Sequence, residues 1–125
     1  MLFRSRAIVD AGRLALYAGN DDLLLPFALL GGVGGICVAS HVAGEQMLAV
    51  QAAADAGDEA EARRLDDDLQ SLYTALSCTV NPIPVKTAMG LLGFAVGDLR
   101  LPLVNATAEE RETVRAELAA RGLLG

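Results

Sequence analysis

The sequence predicts an α/β protein in which two parallel strands come first and helices complete the chain. Three observations carry this expectation. From Leu14 to His41 the chain reads strand, helix, strand with short connections, the order of a right-handed parallel crossover. The second strand candidate, Gly35 to His41, is apolar on both faces until its end, as a strand covered on both sides is. From Gly44 onward the apolar positions keep helical spacing only. Hydrophobic residues make up 53% of the 125, enough for a packed core and too many for a disordered segment.

Each element has its own signal. Ala7 to Gly12 reads as the tail of a helix, with Gly12 just past its end. Leu14 to Ala18 is the first strand. The turn Gly19-Asn20-Asp21-Asp22 follows, its acidic side chains suited to a helix N-terminus. Asp22 to Leu30 is helical, with Pro26 early and Gly31 and Gly32 as the stop. After the second strand, Gly44 to Ala56 forms a helix closed by Gly57. Asp58 to about Leu76 forms another, with Asp58 and Glu61 as a capping pair. Its inward face is Ala62, Leu65, Leu69, Leu72, Tyr73 and Leu76. Asn81 is expected to cap a further helix with Pro82 in its first turn, ended by Gly93. Phe94 to Asn105 is a connection. Thr107 and Glu110 form a capping box for the last helix, which ends before Gly122.

Composition and spacing exclude several classes of function. A net charge of -6 argues against a nucleic-acid partner, since phosphate binding needs a basic face. Cys37 and Cys78 lie far apart without a CxxC spacing, which speaks against a disulfide framework and a zinc site. Both are expected to be buried free thiols in a reducing, cytoplasmic compartment. Leu23 to Ser40 carries no charge and has the length of a membrane span, but Pro26 and the glycines at 31, 32, 34 and 35 break any helix there. The first six residues lack the apolar core of a secretory signal. The glycine cluster is no dinucleotide fingerprint. Cys37 stands where its third glycine belongs, and the cluster precedes a strand instead of following one.

Four features remain as candidates for chemistry. The strongest is Gly19-Asn20-Asp21, where a glycine lets a ligand approach the backbone and neighbouring groups offer hydrogen bonds; a turn with a helix cap explains the same residues. His41, the one histidine, falls at the C-terminal end of the second strand candidate, where parallel barrels place their active sites. Lys86, the one lysine, could in principle form an imine, but it lies early on a helix and reads as a structural or surface charge. Asp66-Asp67-Asp68 reads as a solvated face, because consecutive helical positions point apart and do not converge on one ion.

Two parallel strands do not make a stable sheet by themselves. The sequence therefore reads as part of a larger α/β domain, and its length is about half that of a parallel barrel of roughly 250 residues.

Four strings then stand in order: Tyr17-Ala18-Gly19-Asn20-Asp21, Gly31-Gly32-Val33-Gly34-Gly35-Ile36-Cys37-Val38, Asn81-Pro82-Ile83-Pro84-Val85-Lys86 and Leu99-Arg100-Leu101-Pro102-Leu103. Together they resemble the C-terminal end of the dihydrodipicolinate synthase family from about Leu14 onward. The Asn-Pro-Ile-Pro-Val-Lys string and the Arg-Leu-Pro block are the specific pair; the glycine turns alone are shared with related aldolases such as N-acetylneuraminate lyase.

The resemblance implies that the two strands are the seventh and eighth of a TIM (β/α)8 barrel and that the last helices are the family's C-terminal extension. In these terms residues 7–56 end the barrel and 57–125 are the extension. Residues 1–6 depart from the family and are expected to be a non-native start, since Leu2-Phe3-Arg4-Ser5 matches what a common sequencing-adapter end encodes. The family condenses pyruvate with aspartate semialdehyde in lysine and diaminopimelate biosynthesis through a Schiff base on a sixth-strand lysine. It uses no metal or organic cofactor and is usually a homotetramer. That lysine, the proton-relaying tyrosine and the Thr-Thr pair all lie upstream, so no catalytic residue and no metal ligand is expected in this chain. What carries over is substrate binding. Ile36 matches the residue whose backbone lines the pyruvate pocket. Gly19 and Asn20 match the turn facing the second substrate, where family members often have aspartate in place of Asn20. Lys86 matches a helix lysine and not the imine lysine. Two other readings stay open: a related aldolase acting on keto-deoxy sugar acids, and a non-catalytic fragment or helical interaction module.

Overall fold

A computed structural model describes residues 2–12 and 14–124. The elements run α1 (Leu2–Asp10), β1 (Tyr17–Ala18), a 3-10 turn (Asp21–Leu23), α2 (Leu24–Leu29), β2 (Gly34–Gly35), α3 (Ser40–Asp55), α4 (Glu59–Leu76), α5 (Ile83–Leu91) and α6 (Ala108–Ala120). The chain forms two compact units, Met1–Gln70 and Ser71–Gly125.

In the first unit β1 and β2 pair in parallel, Tyr17 opposite Gly34 and Ala18 opposite Gly35. Flanking bonds extend the ladder: the Val33 amide donates to the Leu16 carbonyl at 2.9 Å, and the Ile36 amide to the Ala18 carbonyl at 2.8 Å. The crossover helix α2 packs on α3 and on both strands. Leu24, Leu25, Phe27 and Ala28 of α2 are buried, with Ala43, Met47 and Val50 of α3. Burying side chains of this size contributes roughly 1.5–3 kcal/mol each for the larger ones.

The glycine stop of α2 is a Schellman motif. Gly31 turns left-handed at φ 92°, its amide donates to Ala28 O, and the Gly32 amide reaches back to Phe27 O. The same pair of bonds ends α3 at Gly57 and Asp58, α5 at Gly93 and Phe94, and α6 at Gly122 and Leu123. All four helix ends fall where the sequence places them.

Both strands are shorter than the sequence predicts, and the second is displaced. The apolar run after Gly35 leaves the ladder at Ile36. The amides of His41, Val42 and Ala43 are satisfied by the local carbonyls of Val38 and Ala39, not by a neighbouring strand. An apolar run that closes a turn onto a helix has the same composition as a strand buried on both faces, so composition could not separate them. The helix begins at Ser40, but Ala43 breaks it with φ -132° and ψ 38°, and the regular body starts at Gly44 as expected.

The long helix α4 is amphipathic, as its spacing predicts. Ala62, Leu69, Leu72, Tyr73 and Leu76 are buried and Leu65 is half-buried. At its start Asp58 Oδ1 accepts from the Glu61 amide at 3.1 Å. In the second unit α5 packs on α6, and Ile83, Val85 and Ala88 are buried there with Val114 and Leu118. The capping box of α6 is complete: Thr107 Oγ1 accepts from the Glu110 amide, and Glu110 Oε2 accepts from the Thr107 amide. Asn81 is not the cap of α5. Pro82 holds that position without a side-chain hydrogen bond, and Pro84 lies in the first turn. A proline at the cap has no side-chain acceptor to offer, so its missing amide only removes one orphan donor.

Candidate functional site

The segments that leave the C-terminal ends of β1 and β2 lie side by side, and a small set of bonds holds them together. Asp21 Oδ1 accepts from the Ala39 amide at 3.0 Å. The Cys37 thiol points at two carbonyl oxygens of the first segment, Ala18 at 3.9 Å and Asn20 at 3.8 Å. Ser40 Oγ donates to the Cys37 carbonyl at 2.6 Å, which fixes the second segment on itself. Gly35 leaves room beneath this clasp: a Cβ there would sit 2.6 Å from Cys37 Sγ and 3.0 Å from Leu24 Cδ1, so those side chains would have to shift.

The three binding residues expected from the sequence are brought together here. Gly19 and Asn20 form the exposed turn after β1, and Ile36 stands next to it across the ladder. Asn20 has extended backbone angles and makes no side-chain cap to the 3-10 turn, which leaves its amide available. The Ile36 amide is spent on Ala18, while its carbonyl accepts no hydrogen bond among the described residues. The amides of Cys37 and Val38 donate none either. The Ile36 side chain is 79% exposed. The arrangement thus presents a backbone acceptor, two backbone donors and a carboxamide at one strand end. It can orient a small polar ligand, and it contains no group positioned as a nucleophile.

Cys37 is not that nucleophile. Burial, then the charge and hydrogen bonding of Asp21, then the charge of Asp22, push its thiol up to about 11. The thiolate is the reactive form, so Cys37 stays inert near neutrality. Cys78 departs from the expectation of burial: it lies past the end of α4 and is exposed. Its thiol is raised too, by residual burial first and then by the Glu110 charge. Under native conditions at pH 8, a thiol-specific disulfide reagent is expected to titrate Cys78 and leave Cys37 until denaturant is added. Two equivalents released in one native phase would contradict this assignment.

His41 is exposed in the first turn of α3, not at a strand end. Its Nδ1 lies 3.2 Å from the Val38 carbonyl, which can only accept, so Nδ1 carries the proton in this contact. Lys86 lies on α5, and its Nζ donates to the Asp98 carbonyl at 2.7 Å. That bond makes it a tether for the segment after α5, as the sequence reading of a structural charge expects.

The aspartate run is not a uniformly solvated face. Asp67 and Asp68 are exposed, but Asp66 is only 6% exposed. Its Oδ2 accepts from Gln70 Nε2 at 2.8 Å, while its Oδ1 is buried with no hydrogen-bond partner among the described residues. Burial raises the Asp66 carboxyl above the ordinary aspartate range, the Gln70 bond opposes this, and the charges of Asp67 and Asp22 add to the rise. A carboxyl that protonates more readily when folded stabilises the fold fully below its unfolded pKa. That contribution is lost as pH rises through the higher folded value. Asp66→Asn is therefore expected to flatten the fall in stability from about pH 4 upward, and to leave a protein at least as stable at pH 7. Urea midpoints across pH 3.5–7 check this; an unchanged slope in the variant would sink it.

Parallel strands with a helical crossover, short ladders that end in exposed backbone groups, and a train of helices after the last strand define the class. The chain is the C-terminal part of a TIM (β/α)8 barrel, its last two strands followed by C-terminal helices. Residues 5–121 match the model of the dihydrodipicolinate synthetase family, and the chain belongs to that family. It is 49% identical over 109 residues to the 4-hydroxy-tetrahydrodipicolinate synthase of Moorella thermoacetica, a match covering 87% of this chain and 37% of that protein. The crystal structure of dihydrodipicolinate synthase from Thermotoga maritima superposes with a TM-score of 0.92 at 36% identity, over 99% of this chain and 44% of that one. A dihydrodipicolinate synthase variant described as monomeric superposes with a TM-score of 0.91 at 37% identity, over 98% of this chain and 42% of that one. The chain thus spans well under half the length of the relatives it matches.

Proposed function

We propose that this chain is the C-terminal portion of a pyruvate-dependent class I aldolase that condenses pyruvate with aspartate semialdehyde, a step of lysine and diaminopimelate biosynthesis. In this reading an amine outside the segment forms a Schiff base with the keto carbon of pyruvate, with loss of water. The enamine derived from it then attacks the aldehyde carbon. No metal or organic cofactor is called for, because the protonated imine is the electron sink.

The observation that carries the reading is the open backbone at the strand ends. The Ile36 carbonyl, which accepts no hydrogen bond among the described residues, and the Gly19–Asn20 turn beside it supply polar groups where a barrel's C-terminal face takes its substrates. Ile36 would line the pyruvate pocket through its backbone, and Gly19 and Asn20 would face the second substrate. Residues 57–125 would form the helical extension of a cytoplasmic homotetramer. In this reading Lys86, on α5 with its Nζ donating to the Asp98 carbonyl, is a structural lysine and the imine forms elsewhere.

The test has two arms. Incubating the chain with pyruvate and borohydride is expected to leave Lys86 unmodified by mass spectrometry; a reduced adduct there would overturn the assignment. Fusing the chain behind the part of the Moorella thermoacetica enzyme that precedes the matched segment is expected to give condensation with aspartate semialdehyde. A fusion that folds and turns over only keto-deoxy sugar acids would replace the proposed substrate.

A further inference from the structure

The second unit holds a cavity of about 340 Å³ between α5, the 94–105 segment and the start of α6, apart from the strand-end site. It lies within the size range of small-molecule sites. Its wall has two chemistries. Ile83, Phe94 and Leu99 give it apolar surface, and Lys86 and Arg111 bring positive charge. Among the described residues no aspartate or glutamate lines it.

That charge is unusual for a chain of net charge -6. Arg6, Arg63, Arg64, Arg115 and Arg121 each pair with a carboxylate three or four residues away on their own helix. Lys86 and Arg111, like Arg4 and Arg100, make no ion pair among the described residues, and these two line one cavity together. Lys86 Nζ gives one hydrogen bond, to the Asp98 carbonyl, and keeps two donors. The nearby Asp98 carboxylate is taken up by Asn105 Nδ2 at 2.9 Å, so it is not directed at either cation. Asn105 and Ala106 carry the wall on to the residues just before the 13-residue helix α6.

We propose that this cavity binds a small carboxylate with an apolar body: the carboxylate between Lys86 and Arg111, the body against Ile83, Phe94 and Leu99. Arg111 supplies a planar fork matched to a carboxylate, and Lys86, which lines the same cavity, a point charge. A compact inorganic anion would leave the apolar surface wet, so the apolar body is part of the recognition. The site is independent of the aldolase reading.

Benzoate is the probe, with benzamide as its uncharged isostere, titrated into the 125-residue chain and followed by amide NMR shifts. The expected result is saturable benzoate binding at millimolar concentration, with shifts grouped between residues 83 and 111. Benzamide should bind at least ten-fold more weakly. Arg111 is exposed, so Arg111→Gln keeps the fold and is expected to weaken benzoate five-fold or more. Absence of saturable binding, equal binding of benzamide, or unchanged binding in Arg111→Gln would each overturn the proposal.

Discussion

Replacing Gly32 with alanine is expected to lower the unfolding free energy by about 3 kcal/mol, the upper part of the range for forced overpacking. The added Cβ would lie 2.7 Å from Phe27 O, 3.0 Å from Phe27 C and 3.2 Å from Leu16 O. All three neighbours are backbone atoms, so no side chain can swing away. Nor can the backbone yield cheaply. Phe27 O accepts the Gly32 amide that closes the Schellman motif, and Leu16 O accepts the Val33 amide that opens the strand ladder. One methyl group therefore presses on the helix stop and the strand pairing together. Gly44→Ala is the control. Nothing stands within 4 Å of its Cβ position, and the helix body begins there, so the propensity gain of roughly 0.5–1 kcal/mol is expected instead. Urea denaturation of both variants decides the matter. A Gly32→Ala protein within 0.5 kcal/mol of the parent would show that the turn relaxes freely.

Leu118→Ala is the second large effect, expected at about 3 kcal/mol. Leu118 is completely buried on α6, in the unit where α5 and α6 pack, and truncation there costs both the transfer of its methyl groups and the cavity they leave. Its carbonyl also accepts the Leu123 amide that ends the helix, so the backbone around the cavity is held and cannot collapse into it. Leu101 is 86% exposed in the same unit, and Leu101→Ala should stay within about 0.5 kcal/mol. Thermal melts of the two leucine variants side by side are the measurement. A cost for Leu118 no larger than that for Leu101 would mean that α6 contributes little to the unit's core.

Helix ends were the most legible part of the fold, because each is written by a single residue with a local mechanism. Gly31, Gly57, Gly93 and Gly122 stop helices through bonds that involve only their own last turn. Thr107 and Glu110 start one in the same way. Strand length is not local. It depends on which backbone groups find a partner, and the run after Gly35 finds its partners within a turn. The burial of Asp66 did have a signal. It lies four residues after Ala62 and three before Leu69, on the apolar face, and its run of identical neighbours obscured that position. Asn81 and Cys78 had no comparable signal, since both sit in the short link between α4 and α5, where three-dimensional packing decides exposure. The strand-end site was legible in part. The parallel crossover places Gly19 and Ile36 together on physical grounds, whereas the substrate contacts proposed for them rest on the resemblance alone. Asp21 escaped notice as the clasp to Ala39, because an acidic residue before a helix already has a sufficient explanation in the helix itself.

The clasp has a consequence for how the chain acquires its structure. Its three ties span only 17 to 19 residues of sequence. Closing a loop of that size takes on the order of 100 ns, and its entropy cost grows only slowly with length. Contacts between strands further apart in sequence demand longer searches, which slows folding as sequence separation grows. The β1–α2–β2 crossover can therefore close early, presenting a paired strand edge that a neighbouring strand then stabilises.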